Sequence, residues 1–87
     1  MLKLGYNRIL SETKIAILRG LAKADGKVSS LESLSDLTGI GKTLLSKHVN
    51  GSEDAQGLVE LGPVEVNRYS RGRLQIEITA LGNIVLL

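Results

Sequence analysis

The chain has 87 residues, enough for one small domain but too few for the parallel sheet with flanking helices of a nucleotide-hydrolysing enzyme. Its formal net charge is only +2, it contains no cysteine, and two tyrosines are its only aromatic residues. These values exclude a disulfide framework, a thiolate metal site and an aromatic platform for single-stranded nucleic acid. We therefore expect residues 1–87 to form a single domain with an aliphatic core, without a metal or another cofactor.

No apolar run in the sequence approaches the roughly 20 residues that span a bilayer. The first ten residues, MLKLGYNRIL, lack the continuous apolar core of a secretory signal. We accordingly expect a soluble, cytoplasmic protein with no membrane partner.

The first predicted helix covers residues 11–24, with Ser11 as its N-cap. Its predicted apolar stripe consists of Ile15, Leu18, Leu21 and Ala22. Gly20 interrupts this pattern at a cost of about 1 kcal/mol relative to alanine, and the sequence offers no reason for it. Residues 27–29 then predict a short extended segment.

The second predicted helix begins at Ser29, which precedes Glu32 by three residues as in a capping box, and it ends at Gly39. Its predicted apolar side consists of Leu31, Leu34 and Leu37. The third helix is predicted from about Lys42 to Val49, where Asn50-Gly51 ends it. Its predicted apolar side consists of Leu44, Leu45 and Val49.

The remainder of the chain predicts a β-hairpin and a last helix. Residues 52–57 are a polar connector or one further helical turn, and residues 58–61 are a short apolar piece. Apolar and polar residues then alternate in two segments, which predicts two strands joined by the polar turn RYSRGR. The apolar positions are Val64 and Val66 in the first strand and Leu74, Ile76 and Ile78 in the second. Thr79 is the predicted cap of the last helix, whose buried side is predicted as Leu81, Ile84 and Val85.

The stretch GIGKT at residues 39–43 matches part of a phosphate-binding loop. The full motif requires a glycine five residues before Gly41, but Asp36 occupies that position, and the preceding segment has helical periodicity rather than that of a buried strand. A helix-turn-helix unit explains the same residues better, because Gly39 permits the sharp turn and Ile40 fills the space between the two helices.

Charge is segregated along the chain. Residues 38–50 contain Lys42 and Lys47 without an acid, and residues 66–76 contain three arginines without an acid. These two segments carry a formal charge of +5, whereas the remaining residues, six basic and nine acidic, carry −3. The third helix and the hairpin are therefore predicted to hold the excess positive charge, which indicates a nucleic-acid partner.

Three helices followed by a two-stranded hairpin predict an α+β winged-helix fold. In this fold the third helix and the hairpin face the same way, toward the major groove and the flanking backbone or minor groove. The outward residues of the third helix are donors and short hydroxyls, and the start of the second helix, near Ser29 and Ser30, could donate backbone N–H groups to a phosphate.

Four local features occur in a telling order along the chain: the helix-ending Gly39, the GLVEL segment before the hairpin, the RGR at its tip and the ITALG that enters the last helix. In this order the chain resembles the winged helix-turn-helix domains of MarR-like transcriptional regulators. The resemblance covers about residues 10–87 and implies duplex DNA binding, a recognition role for the third helix, and contacts by the hairpin tip. The predicted DNA-binding residues are Ser29, Ser30, Lys42, Thr43, Ser46, Lys47, Asn50, Arg68, Tyr69, Ser70, Arg71 and Arg73.

Two departures limit what the resemblance implies. Asn50-Gly51 shortens the recognition helix, and the long flanking helices that pair two subunits around an effector pocket are missing, so no small-molecule ligand is inferred. Apolar residues at both ends of the chain nevertheless indicate a homodimer interface, with packing of the N-terminal segment on its own domain as the alternative. His48 is expected to be packed or hydrogen-bonded, and Ser11, Ser29 and Thr79 to act as caps.

We therefore expect a non-enzymatic protein that binds double-stranded DNA and regulates transcription. The alternative is a winged helix that serves as a protein-protein interaction module in a larger assembly.

Overall fold

The computed structural model describes residues 11–53, 56–69 and 73–87 of the chain. Within these ranges the protein has an α+β fold with five helices and a three-stranded antiparallel sheet. The elements in chain order are α1 (Glu12–Lys23), β1 (Lys27–Val28), α2 (Leu31–Thr38), α3 (Lys42–Asn50), α4 (Leu58–Leu61), β2 (Val64–Arg68), β3 (Leu74–Ile78) and α5 (Ala80–Val85).

Helix α1 begins as predicted, since the Ser11 hydroxyl accepts a hydrogen bond from the Lys14 N–H at 3.3 Å. Its buried stripe is rotated relative to the prediction. Ile17, which was not in the predicted stripe, is fully buried, whereas Ala22 is exposed and its assignment to the stripe was wrong. The fully buried apolar residues of α1 are Ile17, Leu18 and Leu21.

Helix α2 is capped by Ser30, and the predicted capping box of Ser29 and Glu32 was wrong. The Ser30 hydroxyl accepts a hydrogen bond from the Ser33 N–H at 3.0 Å, while Ser29 remains outside the helix. Two adjacent serines are equally good caps by residue type, so the choice follows from where the chain leaves β1. On the apolar side only Leu34 is fully buried, and Leu37 is 43 % exposed.

Glycines end both central helices as predicted. Gly39 follows α2 with φ 75°, and Gly51 follows α3 with φ 91°, values that other residues rarely adopt. Leu45 and Val49 are the buried residues of α3, as expected from their spacing of four. The assignment of Leu44 to the same side was wrong, because Leu44 is 47 % exposed.

Both predicted hairpin strands and the short first strand are confirmed, and they form one sheet in the order β1-β3-β2. A short helix at residues 58–61, which the sequence did not predict, precedes β2. Thr79 caps α5 as predicted, by accepting a hydrogen bond from the Gly82 N–H at 3.2 Å. Ile84, assigned to the buried side of α5, is 58 % exposed, so that assignment was wrong.

The core lies between the helices and one face of the sheet and is aliphatic, as predicted. Its buried residues are Ile17, Leu18, Leu21, Val28, Leu34, Leu45, Val49, Leu58, Val64, Ile76 and Ile78. Because α1, α2, α3 and the hairpin all contribute to it, this single core fixes the position of α3 relative to the hairpin.

Candidate nucleic-acid interface

The turn between α2 and α3 is held by side-chain hydrogen bonds to the backbone. The Thr38 hydroxyl donates to the Leu34 carbonyl at 2.8 Å and accepts from the Ile40 N–H at 3.2 Å. The Ser35 hydroxyl donates to the Ile40 carbonyl at 2.7 Å. Both main-chain polar groups of Ile40 are thus bonded, and its half-buried side chain packs against the core, as predicted for the turn.

A second contact holds α3 against α1. The Lys14 ammonium, in a side chain only 6 % exposed, donates to Nδ1 of His48 at 3.0 Å. Burial, and then the neighbouring ammonium, lower the pKa of His48 from its ordinary value of 6.5. The sequence prediction of a hydrogen-bonded histidine is confirmed, and the structure adds its partner, which lies 34 positions away in the chain.

The outward side of α3 carries most of the predicted reading residues. Lys42, Thr43, Lys47 and Asn50 are exposed, while Ser46 is half-buried. Ser46 accepts a hydrogen bond from the Asn50 amide at 3.2 Å. The predicted DNA-binding residues of α3 therefore fall into two groups. Lys42, Thr43 and Lys47 are exposed to solvent, whereas Ser46 and Asn50 form a hydrogen-bonded pair on the side nearest the hairpin.

Strand pairing places the hairpin residues on two opposite faces. Arg68 stands opposite Leu74 in the β2–β3 register, and Val66 stands opposite Ile76. Since side chains alternate along a strand, Arg68 lies on the inner face with these apolar residues. Tyr69 lies on the outer face, where its hydroxyl donates to Gln75 at 3.1 Å.

Arg68 and α3 line the same small cleft. The cleft has a volume of about 170 Å³ and lies between α3, the start of α2 and the inner face of the hairpin. Among the described residues that line it, the polar side chains are Ser46, Asn50 and Arg68, and none is acidic. The structure thus brings together three of the predicted residues, one from the hairpin and two from α3.

Ser29, Tyr69 and Arg73 do not reach this cleft. They line a larger groove of about 970 Å³ on the other side of α2, together with Lys27 and Asp36. This groove combines both signs of charge with apolar surface, including Leu37 and Leu74. Strand alternation thus places Arg68 and Arg73, both predicted contacts of the hairpin, on opposite faces.

Two further predictions concern the edges of this surface. Ser30 uses its hydroxyl to bind the Ser33 N–H, so that N–H is already occupied within the protein. Ser70 and Arg71, the predicted tip of the hairpin, lie outside the described residues.

The acids of the hairpin lie away from the cleft. Glu65 and Glu77 stand opposite each other on the outer face of the sheet, and Lys27 of β1 also pairs with Glu77. Arg68 is the last described residue of β2 on the inner face, and no described acid lines the cleft beside it. The segregation of charge that the sequence indicated is therefore also present in the structure, because strand alternation places the hairpin acids and Arg68 on opposite faces.

In the described ranges there is no group of three or more His, Cys, Asp or Glu residues that could hold a metal ion. Within the same three ranges, no helix is long and apolar enough to cross a bilayer.

Sequence reasoning missed two residues near this surface. Lys14 was not among the residues predicted to be buried, and Leu44 was assigned to the apolar side of the third helix. Helical geometry offered a signal for Leu44, because Leu45 and Val49 define the buried side and position 44 is turned about 100° from Leu45. Nothing in the sequence near Lys14 indicates its contact with His48.

Comparison of the chain with protein-family models, with curated proteins and with solved structures gave no match.

Proposed function

We propose that this protein is a winged helix-turn-helix protein of the MarR-like kind that binds double-stranded DNA. The order of the elements supports the fold: three helices with a short strand between the first two, then a hairpin whose second strand pairs with that short strand. In this arrangement α3 enters the major groove while the hairpin lies along the backbone or the minor groove.

One observation carries the proposal. The small cleft, whose described lining residues include no acid, joins Ser46 and Asn50 of α3 to Arg68 of the hairpin. The two chain segments with the excess positive charge thus meet on one side of the molecule. A guanidinium beside hydroxyl and amide groups binds phosphate oxygens well, because all of these groups donate hydrogen bonds. Lys42 and Lys47 extend the same positive surface along the exposed side of α3.

Titration of the protein against random-sequence duplex at several salt concentrations tests the proposal. The logarithm of the binding constant should fall linearly with the logarithm of the salt concentration, by about 0.9 for each phosphate neutralised. Removing two phosphate contacts in a Lys42→Ala/Lys47→Ala variant should therefore reduce the slope by nearly two.

The matched control is Arg19→Ala/Lys23→Ala, which removes the same charge from exposed positions on α1. The salt dependence of this control should differ from that of the wild-type protein by less than the slope of about 0.9 expected for one phosphate contact, since α1 does not belong to the proposed surface. If the wild-type protein binds no duplex even at low salt, the proposal is refuted. Equal loss of slope in the two variants would show that only net charge matters.

Transcriptional regulation, a cytoplasmic location and homodimerisation are parts of the same proposal. Ile84 and Leu87, at the C-terminal end, are 58 % and 102 % exposed and offer apolar surface for a second copy. A dimer would present two α3 helices to two half-sites about one DNA turn apart. Sedimentation velocity of wild type and Ile84→Asp measures this directly, and a monomer at micromolar concentration would contradict it.

A second candidate function, protein-protein interaction, is favoured by the larger groove and by a free sheet edge. The Tyr69 N–H donates to the Arg73 carbonyl at 2.8 Å, so the main-chain groups of Leu74 point away from β2. On that side β1 pairs with β3 only at residues 76–77, and no described strand pairs with Leu74. Leu37 and Tyr69, both exposed, stand beside this edge.

An extended peptide could add to this edge and place an apolar side chain in the groove. The two functions differ in their salt dependence, because strand addition and apolar contact are weakly affected by salt, whereas phosphate contacts are strongly affected.

A further inference from the structure

An exposed leucine stands in the first turn of α3. Leu44 is 47 % exposed and lies outside the set of residues that pack on the core. Thr43 precedes it and Lys47 follows one turn later, and both are exposed. In helix-turn-helix proteins, the N-terminal residues of the recognition helix contact base edges. The apolar side chain is therefore placed where sequence would be read.

The other outward residues of α3 offer few means to distinguish bases. Lys42 and Lys47 carry only donors, which suit phosphates as well as guanine. The Asn50 amide already donates to Ser46, at the end of the helix beside the hairpin. Residues 42–50 contain no Arg, Gln, Asp or Glu, and the hydroxyl groups of Thr43 and Ser46 bind base edges without a strong preference for one base.

We propose that α3 selects thymine, by contact of the Leu44 side chain and the Thr43 methyl group with the C5-methyl group in the major groove. This inference rests on the proposed DNA binding and names the base that the same surface prefers. Thymine carries an apolar methyl group at C5, whereas cytosine carries only hydrogen at C5 and an amino group at C4. A leucine against C5 therefore gains an apolar contact with thymine that cytosine does not offer.

Replacement of thymine by uracil tests the contact, because it removes the methyl group and keeps the hydrogen-bonding groups. The preferred site is first selected from a random duplex library with the full-length wild-type protein. Uracil is then introduced at each thymine in turn, and dissociation constants are measured at fixed salt. At one or two positions we expect binding to weaken about three- to fourfold, the factor for one methyl group withdrawn from water.

Leu44→Ala and Leu44→Gln, each combined with Thr43→Ser to remove the other methyl group of the proposed contact, should abolish the difference between thymine and uracil at these positions. Because Leu44 is exposed, both variants are expected to fold, which circular dichroism checks. The matched control is Leu37→Ala, which truncates a leucine of similar exposure, 43 %, on α2 in the larger groove. This control should retain the wild-type difference.

The outcomes separate this inference from the function on which it rests. Duplex binding with salt dependence, but with equal affinity for thymine and uracil at every position, would overturn the thymine contact and leave DNA binding intact. A thymine preference that persists in both Leu44 variants would also overturn it. No binding to any duplex would refute the proposed function and the inference together.

Discussion

Gly20 provides the sharpest test of how the structure positions α3. A Cβ atom at residue 20 would lie 2.7 Å from the Cγ2 methyl group of Thr38, a distance that real Cβ contacts do not show. The next atoms, of Leu37 and Leu34, lie at 3.8 and 3.9 Å, which is ordinary contact. The conflict in Gly20→Ala is therefore with one methyl group, on the residue that precedes the turn into α3.

Thr38 is poorly able to move aside. Its hydroxyl is bonded to the Leu34 carbonyl and to the Ile40 N–H, and rotation of the side chain would break both bonds. An exposed glycine-to-alanine change in a helix stabilises it by about 1 kcal/mol. Overpacking typically costs about 1–3 kcal/mol. We expect Gly20→Ala to lower the free energy of unfolding by about 1 kcal/mol on balance, or the melting temperature by about 4–8 °C.

The assay is urea denaturation of a double-mutant cycle with Thr38→Ser, which removes the methyl group and keeps the hydroxyl. In that background Gly20→Ala should reverse its sign and stabilise by up to about 1 kcal/mol, so the two positions should show a coupling of about 2 kcal/mol. Ala22→Gly, at an exposed position of α1, measures the helix-propensity contribution alone. If Gly20→Ala stabilises the wild-type background, the steric reasoning is wrong.

Three further outcomes follow from the structure. Folding lowers the pKa of His48, so the imidazole binds a proton more readily in the unfolded chain than in the folded one. The free energy of unfolding should therefore fall as the pH drops below about 6.5. The variant His48→Gln should reduce this loss of stability in thermal melts. Thr79→Val removes a hydroxyl that caps α5 and donates to the Gly62 carbonyl at 2.6 Å, and should lower the free energy of unfolding by about 1–2 kcal/mol in urea titrations. Leu34→Ala should lower the free energy of unfolding by about 2–5 kcal/mol and Leu37→Ala by less than about 1 kcal/mol, since only Leu34 is fully buried. Equal effects of the two changes would contradict the observed orientation of α2.

Local signals were sufficient to predict most elements. Ser11 and Thr79 were identified as caps, Gly39 and Gly51 as helix ends, and the alternation in residues 64–66 and 74–78 as strands. Each of these depends on a residue and its near neighbours in the chain, which is the information that a sequence carries directly.

Features that depend on distant residues could not be predicted in this way. The burial of Lys14 follows from its contact with His48 on another helix, and the requirement for glycine at position 20 follows from Thr38. The choice of Ser30 over Ser29 depends on where the backbone leaves β1. These errors arise because tertiary packing, rather than local preference, decides the burial and the rotation of each helix.

The placement of the two described hairpin arginines on opposite faces follows from strand alternation alone and could have been predicted from the sequence. Val64, Val66 and Arg68 are two residues apart and must share a face, while Tyr69 must lie on the other one. A shift of one residue in β2 would exchange the faces, bringing Glu65 toward α3 and removing Arg68 from the cleft. The apolar residues resist such a shift, because it would expose Val64, which is 2 % exposed. The burial that stabilises the hairpin therefore also determines which charge faces α3.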